Sequence, residues 1–569
     1  MKVDTFFQNF ELLTDAPNAI GKLREIILQL SVCGKLSQQA DDECASILVS
    51  EAQKTLAKLI DEKKYRSFEK VLPVKLDEQP YKIPQNWKWV RIGEMALVRG
   101  GKRLPQGASF AIITTPYIYI QVTNMKNGTI VNEGLKYIDE DVYQAIKNYI
   151  IEKEDLYISI AGTIGQVGEV PDFCHQMNLT ENAARIIFKE LNKKYFLTAL
   201  NSNIVQSQFK EKTNQQAQPK LALKRIADAI IPLPPLAEQK RIVEKCDRLL
   251  STCDEIEKRQ QQRQESIVRM NESAIAQLLS SQNPDEFRQH WQRICNNFDL
   301  LYSIPETIPK LRQAILQLAV QGKLVPQDPI DEPALTLLKN IQCEKEQLIK
   351  SKQIKQDKAL PKIEEDIVPF VIPKGWEWCY VSDISTKITD GEHLTPQRAS
   401  SGYYLLSARN VRDEGIALDD VDYVPENEFL RIRKRCDPNK GDILISCSGS
   451  VGRVAIVDRD KTYVMVRSAA LVKPFQDYVI SEFLAYTLRS LFVQNQIIEK
   501  SKTSAQANLF LGKIKEIKIV LPPLAEQKRI VEKCDRLMSL CDTLEARLKQ
   551  GRDSSEKLME VAAKQVLTV

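Results

Sequence analysis

One stretch of seventeen residues occurs twice. Leu233 to Leu249 and Leu521 to Leu537 both read LPPLAEQKRIVEKCDRL, an offset of 288 residues, 521 less 233. A second pair keeps that offset: Lys22 to Leu36 reads KLREIILQLSVCGKL, and Lys310 to Leu324 reads KLRQAILQLAVQGKL. Two well-separated matches with one offset mean that a large unit has been duplicated. Fainter echoes lie between them. Ile83-Pro84 with Trp87 and Trp89 mirrors Ile372-Pro373 with Trp376 and Trp378. Gly162-Thr163-Ile164-Gly165 mirrors Gly449-Ser450-Val451-Gly452, and Leu221-Ala222-Leu223 before Ile226 mirrors Leu509-Phe510-Leu511 before Ile514. Each half thus has similar edges around a divergent interior of about 140 residues, and twice 288 is 576, close to the chain length of 569. The edges read as scaffold and the interiors as variable modules.

Local pattern places these parts. Pro234-Pro235 suits a helix start. After it, Ile242, Cys246, Leu249, Cys253 and Ile256 fall in steps of four and three, an a/d seam. The copy runs Ile530, Cys534, Leu537, Cys541, Leu544 and Leu548. The four seam cysteines read as small core residues rather than redox or metal groups. A helix from Pro235 to about Ser280 is roughly 45 residues and about 70 Å long, enough for a spacer; SSQNPDEFRQ then breaks the pattern. Leu23, Ile26, Ile27, Leu30 and Cys33 form another amphipathic helix stopped by Gly34, repeated by Leu311, Ile315 and Leu318 before Gly322. In the interiors, β-branched and aromatic runs with Gly/Asn turns (TTPYIYIQVTN, KNGTIVNEGLKYI, YYLLSARNV) predict strand-rich α/β modules. Trp87 and Trp89, and likewise Trp376 and Trp378, sit two apart behind Ile-Pro and are expected to pack the module edges.

Composition narrows the function classes. The length suggests about three or four units. A net charge of +5 excludes a histone-like polycation and an acidic solvating chain, but leaves room for a local basic face. No run of about 18 apolar residues predicts a membrane span, and the acids in MKVDTFFQNFELL argue against export. Twelve cysteines form no CxxC, and the histidines are His175, His290 and His393, so neither a disulfide framework nor a zinc cluster is expected. The reading is cytoplasmic, reduced and metal-free. No phosphate-cradling GxxxxGK[ST] occurs, and Gly162, Gly165 and Gly168 lack dinucleotide-binding spacing. LPPL has neither the polar group nor the aromatic with which the [D/N/S]-P-P-[aromatic] motif of adenine methyltransferases holds a flipped base. No catalytic residue is nominated.

The two repeated helical signatures around divergent interiors resemble the specificity subunit of type I restriction-modification systems, over nearly the whole chain. The resemblance implies an α/β (α+β) fold: two globular target recognition domains separated by long antiparallel coiled-coil helices, with an internal pseudo-twofold repeat. The corresponding segments are an N-terminal helical region (1–82), recognition domain 1 (83–232), a central spacer (233–371), recognition domain 2 (372–520) and a C-terminal coiled-coil helix (521–569). It implies a non-enzymatic subunit that reads a bipartite, asymmetric site on double-stranded DNA. It further implies docking to two modification (methyltransferase) subunits and, through them, to restriction (ATP-dependent endonuclease and translocase) subunits. S-adenosylmethionine, ATP and magnesium would sit on those partners, with no cofactor in this chain. GKRLPQG from Gly101 with Val122 to Gly128 looks like one recognition-domain type, and DGEHLTP from Asp390 with Ser407 to Val411 like another. The half-sites are therefore expected to differ. A coiled-coil adaptor whose interiors bind proteins or glycans is the rival class.

Each candidate DNA contact has a plainer account beside it. Lys102 and Arg103, next to flexible glycines, suit phosphate or a guanine edge, or form an ordinary solvated loop. Lys126, Asn127, Arg409 and Arg412 lie in the matching segments of the two interiors. Asn124 and Asn410, at matching positions, suit adenine or a turn. His393, with Thr395, suits a base or phosphate, or braces its own turn. Thr163 and Ser450, with Arg453 following, sit on glycine turns that either present amides to phosphate or join two strands. Gln218, Lys220, Gln506 and Asn508 fit DNA contact or polar linkers.

Overall fold

The computed structural model describes residues 16, 18–37, 44–62, 71–211, 220–356, 358–364, 368–501 and 508–568. The chain divides into two units, Met1–Gln262 with Gly551–Val569, and Arg263–Gln550. The cuts at 262 and 550 are again 288 residues apart, so both fall at one phase of the repeat.

Unit 1 begins with helices α1 (Ala19–Val32) and α2 (Ala45–Asp61). Besides a short ribbon pairing Met125–Lys126 with Thr129–Ile130, the strands that follow are β1 (Lys88–Arg91), β2 (Ala96–Gly100), β3 (Tyr117–Ile120), β4 (Lys136–Ile138), β5 (Ile150–Ile151), β6 (Leu156–Ser159), β7 (Val167–Glu169), β8 (Met177–Leu179) and β9 (Ala183–Phe188). Then come α3 (Lys193–Asn201), α4 (Asn203–Glu211), β10 (Ile230–Leu233) and the start of α5 (Leu236–Leu279). The strands form sheets in the orders β2-β9-β6-β7 and β4-β3-β8-β5, and β1 pairs with β10. Pairing is antiparallel except between β3 and β8, where Tyr119 lies opposite Asn178.

Unit 2 holds α6 (Pro284–Asn296), α7 (Ile308–Val320) and α8 (Ala334–Lys350), then β11 (Glu377–Tyr380), β12 (Ser385–Asp390), β13 (Tyr403–Leu406) and β14 (Asp422–Val424). After α9 (Glu426–Arg433) come β15 (Ile443–Ser446), β16 (Val454–Ile456), β17 (Tyr463–Met465) and β18 (Ala469–Pro474). Helices α10 (Ser481–Arg489) and α11 (Leu491–Ser501), strand β19 (Lys518–Leu521) and the start of α12 (Leu524–Thr568) complete it. The sheet orders are β12-β18-β15-β16 and β14-β13-β17, with β11 on β19. Again one pair is parallel, β13 with β17, where Leu405 lies opposite Val464. The divergent interiors therefore share one topology, short of one edge strand in unit 2.

The reader cores are aliphatic and aromatic: Ile158, Ile186, Phe196 and Phe209 in unit 1, Ile445, Val472, Leu488 and Ile497 in unit 2. Leu48, Val49 and Ala52 of α2 join the first, and Ala334, Leu337 and Ile341 of α8 the second. These two helices thus pack with the readers, although the sequence segments place them in the flanking helical regions.

The seam residues lie in two further cores. In unit 1, Ile242, Cys246, Leu249, Cys253 and Ile256 of α5 gather with α1 and with Met559, Ala562 and Ala563 near the end of α12. In unit 2, Ile530, Cys534, Leu537, Cys541 and Leu544 of α12 gather with α7 and with Leu278 near the end of α5. In both, the start of one long helix meets the end of the other, the pairing of antiparallel helices.

The invariance of LPPLAEQ has a geometric cause. Gln239 Nε2 donates to the Pro234 carbonyl at 2.9 Å, while its Oε1 accepts the Asn192 amide at 2.9 Å, tying α5 to the cap of α3. Gln527 does the same with Pro522 and Ile480. Glu238 accepts the Trp87 indole N–H at 2.8 Å, and Glu526 accepts that of Trp376 at 2.8 Å. All four of these acid and amide side chains are buried, where leaving a partner unpaired costs about 1–3 kcal/mol. Arg24 reaches Asp254 and Glu257, and 288 residues on Arg312 reaches Asp542 and Glu545. Gly34 (φ +70°) and Gly322 (φ +66°) end α1 and α7 where a Cβ would come within 2.5 Å of Pro84 and 2.3 Å of Pro373. This links the GKL signature to the I-P echo.

Candidate nucleic-acid interface

In unit 2, loops from three strand ends converge on an open cleft of about 890 Å³. Its lining includes Arg409, Arg412, Ser450 and Arg453, with Ser448 and Ser468 between them. Arg409 is half-exposed and pairs with Asp422 at 3.0 Å and Asp420 at 3.3 Å; Arg412 pairs with Asp419 at 3.4 Å. Arg453 is exposed, and its guanidinium has no partner among the described residues. Asn508 bridges to Ser448 at the cleft margin. Arg467, which sequence reasoning missed, is exposed beside Ser468, and its amide donates to the Glu392 carbonyl at 3.1 Å. The only sequence signal for it is its place in the short turn between β17 and β18.

The glycine turn of this cleft is clamped from below. Ser446 Oγ donates to the Ser450 carbonyl and accepts the Arg453 amide at 2.9 Å. Gln494 of α11 donates to the Gly452 carbonyl at 2.9 Å. Unit 1 repeats the clamp: Ser159 Oγ donates to the Thr163 carbonyl and accepts the Gln166 amide at 3.0 Å, while Gln206 of α4 donates to the Gly165 carbonyl at 2.9 Å. Thr163 is exposed on its turn, as Ser450 is on the copy.

The remaining unit 1 candidates form two groups. Lys126 and Asn127 are exposed at the tip of the ribbon that pairs Met125–Lys126 with Thr129–Ile130, with Asn127 at φ 53° and Gly128 at φ 73°. Lys102, Arg103 and Lys220 gather around Glu181. Arg103 Nε donates to Glu181 Oε1 at 3.0 Å, Lys220 Nζ to the Glu181 carbonyl at 3.0 Å, and Tyr119 Oη to the Lys102 carbonyl at 2.8 Å. Lys102 also lies 5.5 Å from the centre of the Tyr149 ring. Burial would raise the Glu181 carboxyl, but hydrogen bonds from Arg103, a backbone amide, Thr180 and Tyr119 outweigh it and hold the group below its ordinary value. Glu181 is thus the organiser of this corner; among 75 acids the sequence offered no reason to single it out.

Four candidates have other places. Asn124 and Asn410 are buried, and their side chains are committed to the backbone. Asn124 accepts the Gln121 amide and donates to the Glu133 carbonyl, both at 3.0 Å; Asn410 accepts the Ser407 amide at 2.9 Å and donates to Ala417 and Asp420. Their geometry is that of turn-formers rather than base readers. His393 Nε2 lies 2.7 Å from Asp390 and 2.9 Å from Arg435, bracing its own turn, with Thr395 exposed next to it. Burial would raise Asp390 too, but Arg435 and His393 hold it below the usual carboxylate range. Gln218 and Gln506 lie outside the described residues.

A family model described as the type I restriction modification DNA specificity domain matches residues 84–265 and again 373–551. The chain belongs to the type I restriction modification DNA specificity family. The two matches bracket the two readers with the first parts of α5 and α12. The chain is 29% identical over 558 residues to the type I restriction enzyme EcoAI specificity subunit of Escherichia coli, covering 95% of this chain and 92% of that one. It is 29% identical over 565 residues to the EcoEI specificity subunit of the same species, covering 95% and 93%. Among solved structures it is similar to the HsdS subunit from Thermoanaerobacter tengcongensis, at 17% identity and TM-score 0.37, over 87% of this chain and 98% of that one. The role of this family member is DNA recognition without catalysis, as a specificity subunit assembled with other subunits. Two specificity domains fit a bipartite target. Among the described residues no helix is long and apolar enough to cross a membrane.

Proposed function

We propose that each reader recognises one half of an asymmetric double-stranded DNA site, and that the long helices set the separation of the half-sites. Segments 83–232 and 372–520 carry the two readings. The observation that supports this best is the arginine-lined cleft of unit 2, built on a clamped glycine turn that unit 1 repeats. The basic loops about Lys102, Arg103, Lys126, Asn127, Thr163 and Lys220 supply the counterpart contacts in unit 1, with Asn508, Arg409, Arg412, Ser450 and Arg453 in unit 2. Phosphate contacts position such a protein and base contacts specify its sequence. With a net charge of only +5 the chain alone binds DNA modestly. Two modification subunits docked on the repeated helices complete the grip and recruit the restriction subunits. S-adenosylmethionine, ATP and magnesium belong to those partners, and the complex works in the cytoplasm.

Exchanging residues 90–230 for another reader tests this. Methylated-site sequencing of the assembled complex should show one half of the motif changed and the other kept. A change in both halves, or in neither, overturns the two-reader assignment.

A further inference from the structure

Arg453 and Gln166 occupy one backbone position in the two readers. Each is the first residue after the second turn glycine, Gly452 or Gly165, and each gives its amide to the buried serine of the clamp. The glycine carbonyl before each is held by a glutamine of the following helix, and a Cβ on either glycine would lie 2.8–2.9 Å from that glutamine's Oε1. Gly165 and Gly452 have φ of +86° and +91°, which other residues rarely adopt. The frame is therefore the same twice, rigid and short of alternatives, and the side chain it presents is what differs.

The two side chains belong to a particular pair of types. Arginine donates two parallel N–H groups to O6 and N7 of guanine, whereas glutamine pairs with N6 and N7 of adenine. Arg453 projects from the frame into the cleft with its guanidinium unpaired among the described residues, while its neighbours Arg409 and Arg412 are engaged by aspartates. A partly neutralised arginine suits positioning; an open fork suits readout. Gln166 is half-buried, and its Oε1 accepts the Thr163 hydroxyl at 3.2 Å, which orients the amide and leaves its N–H₂ for a partner.

We propose that this position is a base-reading position in both readers: Arg453 reads a guanine in one half-site, and Gln166 reads an adenine in the other. The assignment rests on the proposed two-reader function. It differs from it in naming one base at one clamped position in each half.

The test uses the full chain assembled with its modification subunits, in four forms: wild type, Arg453→Gln, Gln166→Arg and Gln166→Glu. Methylated-site sequencing gives the motif, and competition with duplexes substituted one base at a time gives the discrimination at each position. Arg453→Gln should relax or switch one guanine of one half-site, with discrimination there falling on the order of 10- to 100-fold and every other position kept. Gln166→Arg should change one adenine in the opposite half-site. Arg453 is exposed, so its variant is expected to melt with the wild type; melting curves check the half-buried Gln166, and Gln166→Glu provides a second, isosteric variant that removes the amide donor. An unchanged motif with binding weakened equally on all duplexes would make Arg453 a phosphate contact and overturn the proposal while leaving the two-reader function standing. A wild-type complex with no bipartite motif would instead defeat the underlying function.

Discussion

Asp155 and Asp442 hold the same turn in the two readers, 287 residues apart, yet each is matched by a different cation. Asp155 pairs with Arg185 at 3.4 Å and Asp442 with Lys473 at 2.7 Å, and each also accepts one backbone amide. Burial pushes the Asp155 carboxyl up to about 6, against attraction from Arg185, and raises Asp442 as well. A folded-state value above the unfolded one means that the native protein holds a proton the unfolded chain has released. The stability from this group is fully present below about pH 4 and is lost as the pH rises through about 6. Asp155→Asn should therefore flatten the pH dependence of urea unfolding between pH 4 and 7, and the Asp155 carboxyl ¹³C resonance should titrate near pH 6. The seam thiols give a second expectation at this scale. Burial raises Cys246 to about 11 and Cys534 to about 12, and it raises Cys253 and Cys541 too, so these remain unreactive thiols. Exposed Cys44, Cys295 and Cys343 should alkylate in the native protein, and the seam cysteines only after denaturation. Labelling followed by peptide mass spectrometry reads this directly. Heptad position alone marked the cysteines as core residues. No pattern marked Asp155, because its partner lies on another strand.

At the scale of the element, the repeated helices combine two kinds of contact of unequal worth. Arg312 bridges Asp542 and Glu545, but both acids are largely solvated, so Arg312→Ala should cost less than about 1 kcal/mol. Ile530 is fully buried in the same helical core, and Ile530→Ala should cost about 2–5 kcal/mol through lost transfer energy and the cavity left behind. Denaturant unfolding of the two variants compares them, and a larger loss from Arg312→Ala would show that ion pairing rather than packing holds the seam. These helices were legible because their apolar period repeats over several turns. The reader strands were legible as short β-branched runs. Their order was not, since the parallel pair joins segments about sixty residues apart, such as Tyr119 and Asn178.

For the whole molecule, the unit cuts at 262 and 550 give a prediction about folding. Every residue of the unit 2 reader core and of its helical core lies between 263 and 550, so this fragment should fold alone with a cooperative melt. Unit 1 is discontinuous. Removing 551–569 strips Met559, Ala562 and Ala563 from its helical core and should lower one thermal transition while leaving the other in place; calorimetry would show whether one or both move. By itself the sequence determined the duplication, the two long helices with their seam, and the strand-rich interiors, because local periodicity and exact repetition are properties of the chain. It also brought Lys102, Arg409, Ser450 and Arg453 into view as residue types suited to DNA. Only the tertiary structure decided that Asn124 and Asn410 are turn-formers, that Glu181 organises the corner around Arg103 and Lys220, and that Gln166 and Arg453 share one clamped position. Those are matters of burial and of hydrogen bonding between segments far apart in sequence, which no local pattern encodes.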